Sequence, residues 1–203
     1  MSKISWSSEW EEIYSERNWG KYPEIELVRF ISRIFTKNTN LSKIKVLDMG
    51  CGTGASTWYL AREGFNVFAI DGSESGVEKT RERLSRSGLE AEVCIGDFCN
   101  LPYKDNFFDC VIDITSIQHN TFEKIEIIIK KIHSMLKKDS YFFGIMACED
   151  KDIEQGYGTV SFLSQDEIII LFKEFSQISI DYMSRTDNNQ QYLDKRWVVV
   201  AKK

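Results

Sequence analysis

At 203 residues, with 42% hydrophobic and 28% charged side chains, the chain has the size and composition of a single globular domain rather than a disordered tail. A net charge of −5 excludes the broad basic footprint of a nucleic-acid surface. The longest apolar runs, such as 127–129 and 168–172, fall far short of the ~20 residues that cross a bilayer, and MSKISWSSEWEE offers no apolar signal core, so a cytoplasmic location without membrane contact is expected.

The first 40 residues are unusually aromatic, with Trp6, Trp10, Tyr14, Trp19 and Tyr22 close together. Ser8 and Glu11 fit a capping box for a first helix, and Pro23 suits the first turn of a second helix over 23–35. These rings need an apolar surface, and two uses stay open: edge packing on the domain, or a cover over a pocket.

A strand over 44–49 then ends in Val46-Leu47-Asp48-Met49-Gly50-Cys51-Gly52-Thr53-Gly54, a carboxylate followed by glycines at every second position. Such a loop lets backbone and ligand approach closely, and the helix predicted over 54–63 offers unpaired N–H groups to an anion. A second strand, 67–71, ends at Asp71, which is placed to accept from ribose hydroxyls. Gly50, Gly52 and Ala55 also satisfy the loose dinucleotide pattern. A diphosphate over the loop would meet the negative charge of Asp48, whereas the ammonium and sulfonium of S-adenosylmethionine would welcome it.

Further along, the alternation predicts helices over 74–87, 121–137 and 165–174, and strands near 91–95, 108–113, 141–147, 177–183 and 196–201. Apolar residues at 125, 128, 129, 132, 135 and 136 make one stripe, Ser164 and Glu167 form a capping box, and Gly64 and Gly88 mark helix ends. The basic pairs Lys130-Lys131 and Lys137-Lys138 read as a solvated helix face. The five cysteines show no C-x-x-C pair and are expected to be reduced thiols. Asp113 with Glu149 or Asp150 could imitate a metal-ligand set, but the spacing is undistinctive and no metal is expected.

From Ile44 to Ala147 the chain resembles the class I S-adenosylmethionine-dependent methyltransferases of the small-molecule, ubiquinone-biosynthesis type. VLDMGCGTG is similar to the first family motif, VFAIDGS (67–73) to the second, CIGDF (94–98) to the third, and Leu101 to His119 to a fourth. The turn 136–140, Leu-Lys-Lys-Asp-Ser, departs from the familiar leucine-lysine-proline-glycine-glycine. The resemblance implies an α/β, Rossmann-like fold: a seven-stranded, mostly parallel sheet with helices on both faces and an N-terminal helical lid. The chain would form one domain, with the lid over 1–40 and the core over 41–203.

By the same resemblance the cofactor, S-adenosylmethionine, would be held by Asp48, Gly50, Cys51, Gly52 and Gly54 around its methionyl part. Asp71, Gly72 and Ser73 would hold the ribose and Asp97 and Phe98 the adenine, with Thr115 nearby. Trp19, Gly20, Tyr22, His119 and Tyr157 would face a small-molecule acceptor. Methyl transfer relies mainly on alignment. Where a base is needed, His119 has a suitable unperturbed pKa near ~6.5, though a role as a helix-capping side chain is also open. No Asp-Pro-Pro-Tyr run or Pro-Cys pair follows the fourth strand, which disfavours nucleobase acceptors. An oxygen or nitrogen acceptor on a sugar or secondary metabolite leads, with the protein as monomer or homodimer. A protein methyltransferase, a non-catalytic cofactor-binding regulator and, more distantly, a dinucleotide oxidoreductase are the alternatives.

Overall fold

The computed structural model describes residues 6–17, 19–35, 40–149, 160–187, 189 and 192–203. The N-terminal helices α1 (Glu9–Glu16) and α2 (Ile25–Phe35) precede an alternating core. That core runs β1 (Lys45–Met49), α3 (Ala55–Glu63), β2 (Asn66–Asp71), α4 (Glu74–Arg86), β3 (Glu92–Ile95), β4 (Phe108–Ile114) and α5 (Phe122–Met135). It finishes with β5 (Leu136–Ala147), α6 (Gln165–Leu171), β6 (Gln177–Asp187) and β7 (Tyr192–Lys202).

The sheet order is β3-β2-β1-β4-β5-β7-β6, parallel except for β7, which runs antiparallel to both of its neighbours. The expected seven-stranded α/β sheet is therefore present. Alternating side chains separate the core into two layers, as strand geometry requires. Leu47, Met49, Val111 and Phe142 meet α5 and α6 on one face, while Val46, Ala69, Ile112 and Phe143 meet α2, α3 and α4 on the other. In α2 the buried residues Leu27, Phe30, Ile31 and Phe35 follow helical spacing, so that helix presents a continuous apolar stripe to the sheet. The capping box of Ser164 and Glu167 forms as expected at α6, and Gly64 ends α3 in the left-handed region.

Two elements differ from the sequence reading. Helix α5 stops at Met135, and β5 begins at Leu136 instead of near 141. Leu136 pairs with Phe108 and Tyr141 with Cys110, so the residues between them form a bulge, with Asp139 at φ 63°. Lys137 bonds Asp109 across this irregularity at 2.7 Å, and Lys202 bonds Asp139 at 2.8 Å. The second difference lies at α1: Ser8 makes no side-chain cap, because its own backbone is helical, at φ −61° and ψ −15°, where a capping residue is extended.

β1 leads outward to β2 on one side and lies beside β4 on the other. The chain order reverses there, and the crevice beyond the carboxyl ends of the strands is where ligands bind in open α/β sheets.

Candidate active site

A cavity of about 430 Å³ opens at this reversal, within the range of small-ligand pockets. Its floor comes from Asp48 at the end of β1, Gly50, Cys51 and Gly52 of the following loop, Asp71 and Gly72 after β2, and Phe98. Thr115, Ser116, Gln118 and His119 beyond β4 form one wall. Trp6, Trp10, Tyr14, Trp19, Gly20 and Tyr22 bring the N-terminal segment over it.

Backbone conformation makes the loop. Gly50 and Gly52 take φ of 71° and 49°, a region costly for other residues. At Gly52 space is also short, since an added Cβ would stand 2.8 Å from the Tyr14 hydroxyl. The loop is tied to its neighbour strand: Gly50 N donates to Ile70 O at 2.8 Å, and Gly52 N donates to Asp71 Oδ2 at 2.8 Å. Ser73 N donates to the other Asp71 oxygen at 2.9 Å. Asp71 thus bridges the two motif loops while still facing the cavity.

The buried acids differ in their surroundings. Asp48 accepts from the Thr57 hydroxyl at 2.6 Å, and burial pushes its carboxyl up to about 7. Asp113, at the end of β4, accepts from the backbone N–H groups of Ser116 and Ile117 at 3.3 and 3.0 Å. Its second oxygen, Oδ2, is buried with no partner, and burial raises this carboxyl to about 8. Burial also raises Asp71, against the backbone N–H groups that favour its charged form. Thr115 sits at φ 59° on the cavity wall, an uncommon conformation for a β-branched residue.

The N-terminal segment makes a set of polar contacts with α4. The Ser73 hydroxyl donates to Glu11 at 2.6 Å, and the Ser75 backbone N–H donates to it at 3.3 Å. These bonds, first of all from Ser73, hold the Glu11 carboxyl below its ordinary range at a helix N-terminus that favours negative charge. Lys79 Nζ donates to the carbonyls of Tyr14, Ser15 and Arg17, where α1 ends, and Arg83 donates to Thr53 and Lys21. Ser75, Lys79 and Arg83 recur at four-residue spacing and so form a single stripe on α4. The Trp10 ring meets His119 edge-on at 4.8 Å and stacks on Tyr14 at 5.6 Å. Trp6 lies against Gly72, where a Cβ would approach its ring to 2.4 Å.

The cavity therefore gathers Asp48, Gly50, Cys51, Gly52, Asp71, Gly72, Phe98, Thr115, Trp19, Tyr22 and His119 of the residues singled out from the sequence. Gly54 is the N-cap of α3, and Ser73 caps α4 by accepting from Gly76 N at 3.0 Å. Asp97 accepts from Cys99 N at 2.8 Å at the start of a short 3-10 turn over Phe98–Asn100. Tyr157 lies outside the described residues. Burial raises the thiol of Cys51 well above its ordinary value, which makes it a poor nucleophile. Among the described residues no cluster of His, Cys, Asp and Glu could hold a metal, and no helix is long and apolar enough to cross a membrane. Sequence reasoning did not single out Glu24, Arg185, Asp194 or Arg196, which line the outer part of the cavity. Arg185, Asp194 and Arg196 lie in a strand pattern and Glu24 just before α2, and none belongs to a motif that could have drawn attention to it.

Residues 46–139 match the methyltransferase domain family. The ubiquinone biosynthesis O-methyltransferase of Rickettsia prowazekii is 31% identical over 137 residues, covering 62% of this chain and 54% of the relative. The chain thus spans only about half the length of that relative. Among solved structures, TehB from Haemophilus influenzae has a TM-score of 0.73 at 20% identity, covering 96% of this chain and 67% of that one. The magnesium protoporphyrin IX methyltransferase of Synechocystis, solved with bound S-adenosylmethionine, has a TM-score of 0.64 at 19% identity, covering 88% and 79%. At these identities the structural likeness is one of fold. The methyltransferase domain match thus covers residues 46–139, a little under half of the chain, and the fold around it is that of the class I S-adenosylmethionine-dependent methyltransferases.

Proposed function

We propose that the protein transfers a methyl group from S-adenosylmethionine to an oxygen or nitrogen of a small molecule. The observation that carries this reading is a single cavity that joins the glycine loop, Asp48 and Asp71 to a wall bearing His119. The residues present suit the cofactor. Buried carboxylates beside the loop favour a ligand with ammonium and sulfonium charge over a diphosphate, and the loop N–H groups can receive a carboxylate. The cofactor supplies an activated methyl group on a sulfonium leaving group.

The chain's own residues then bind, orient and exclude water. Asp71 accepts from the ribose hydroxyls, Gly50 and Gly52 frame the methionyl part with Cys51, and Gly54 starts the helix beneath it. Gly72 and Ser73 continue the ribose wall, Phe98 gives the adenine an apolar face beside Asp97, and Thr115 closes the wall after β4. Trp19 and Tyr22 confine the acceptor, and their ring faces favour cationic charge nearby. His119 takes the acceptor proton where the nucleophile carries one, held in orientation by the edge of Trp10.

Calorimetric titration with S-adenosylmethionine, S-adenosylhomocysteine and a nicotinamide dinucleotide tests the reading without added metal. Binding of the two sulfur ligands with silence from the dinucleotide supports it; the reverse preference refutes it. Methyl transfer to acceptors in a small-molecule screen then separates an enzyme from a non-catalytic binding protein.

A further inference from the structure

The cations of the cavity are gathered on one side, where they stand with the carboxylates of Glu24 and Asp194. Asp48 and Asp71 stand at the strand ends, whereas Arg185 of β6 and Arg196 of β7 line the outer wall. Their convergence runs against the chain's overall charge of −5. It follows from the register of the hairpin. Arg185 is opposite Asp194 in the antiparallel ladder, and Arg196, two residues on, shares that face.

Asp194 orients both guanidinium groups. Arg185 Nε donates to its Oδ2 at 3.0 Å, while Arg196 donates through Nε to Oδ1 at 2.9 Å and through Nη2 to Oδ2 at 2.9 Å. The terminal nitrogens of Arg185 have no partner among the described residues beyond this, and Nη1 of Arg196 is 3.9 Å from Glu24, beyond hydrogen-bond reach. Two planar forks are thus fixed in place with donors left over, an arrangement suited to an oxyanion. Lys195 also lines the cavity, between Asp194 and Arg196, and holds its ammonium 5.0 Å from the Tyr182 ring centre.

We propose that Arg185 and Arg196 receive an oxyanion group on the methyl acceptor, so that the substrate class is an anionic small molecule, a carboxylate or a phosphate ester, with an apolar body between the arginines and His119. This rests on the methyl-transfer reading above. The spare guanidinium donors orient such a molecule: its anion is held at the arginines, and its neutral nucleophilic end is directed toward His119. The aromatic wall of Trp10, Trp19 and Tyr22 suits a flat body between these ends.

The test is calorimetric titration with benzoate, phenyl phosphate, benzamide and inorganic phosphate, with and without saturating S-adenosylhomocysteine. Benzoate or phenyl phosphate is expected to bind about tenfold tighter than benzamide. Arg185→Gln and Arg196→Gln are each expected to erase most of that preference, while Arg86→Gln, on the exposed side of α4, leaves it unchanged. The Arg185 side chain is 61% exposed, so its variant keeps the test sound even if Arg196→Gln misfolds. The proposal falls if neither anion binds, if benzamide matches benzoate, or if a folded Arg185→Gln protein keeps the preference. It falls equally if inorganic phosphate binds as tightly as phenyl phosphate, since the site would then read a bare ion. Loss of S-adenosylhomocysteine binding with the anion preference intact would sink the methyl-transfer reading and leave the charge assignment standing.

Discussion

The two ends of the cavity are built by different means. At the inner end, backbone does the shaping: strand ends, positive-φ glycines and N–H groups that converge on Asp71. At the outer end, side chains do it: the N-terminal aromatics, His119 and the arginines of the β6–β7 hairpin. A backbone-built site can be reused without change for one invariant ligand, while a side-chain-built site can be respecified by substitution alone. That division suits an enzyme with a common donor and a particular acceptor.

His119→Ala probes the outer end most sharply. Turnover is expected to fall by about 10²–10⁴, the usual contribution of a positioned base, with affinity for S-adenosylhomocysteine unchanged; steady-state kinetics beside calorimetry checks both. Equal losses in both would erase the distinction between the two ends. Asp71→Ala strikes the inner end instead. About a hundredfold weaker cofactor binding is expected, from about 1.5–3 kcal/mol per hydrogen bond to a charged group.

Gly52→Ala attacks the backbone itself. Strain in the left-handed region is expected to cost about 1–2 kcal/mol of stability, read as a lower midpoint in urea, with the Tyr14 hydroxyl displaced as well. The pH dependence of stability tests the buried acids beneath the inner end. Asp48 and Asp113 are raised to about 7 and about 8, so between the ordinary carboxylate range and those values the folded protein holds protons that the unfolded chain has released. Stability contributed by these groups therefore falls as pH rises from about 4 to about 8 and then levels off. Thermal melts across that window are expected to show the decline, and Asp113→Asn to flatten it. Ser164→Ala, at the start of α6 and outside the cavity lining, serves as the reference: about 1 kcal/mol of lost capping, with cofactor affinity unaltered.

The inner end was legible in the sequence because its chemistry is written in consecutive residues. Asp48 to Gly54 and Val67 to Ser73 are each one strand end and one loop, so local order carries the geometry. The strand and helix periods were legible for the same reason, as in the stripe of Ile125, Ile128, Ile129 and Ile132. The outer end depends on partners far apart in the chain. Glu11 matched a local capping box yet bonds Ser73 and Ser75, because a neighbouring helix N-terminus offered it more donors than its own. Arg185 and Arg196 meet only through the β6–β7 register, which no local pattern specifies. The start of β5 was hidden likewise: Lys137 and Lys138 look like the end of a solvated helix until Asp109 and the bulge opposite Phe108 are in place.

Trp6, Trp10 and Trp19 all border the cavity, and each touches a different part of it. Trp6 rests on Gly72, Trp10 on His119, and Trp19 carries its carbonyl to the Thr53 hydroxyl. The protein thus contains its own optical probe. A ligand entering the inner end and one entering the outer end should alter indole emission through different tryptophans, so single Trp→Phe replacements would resolve the order in which donor and acceptor arrive without any attached label.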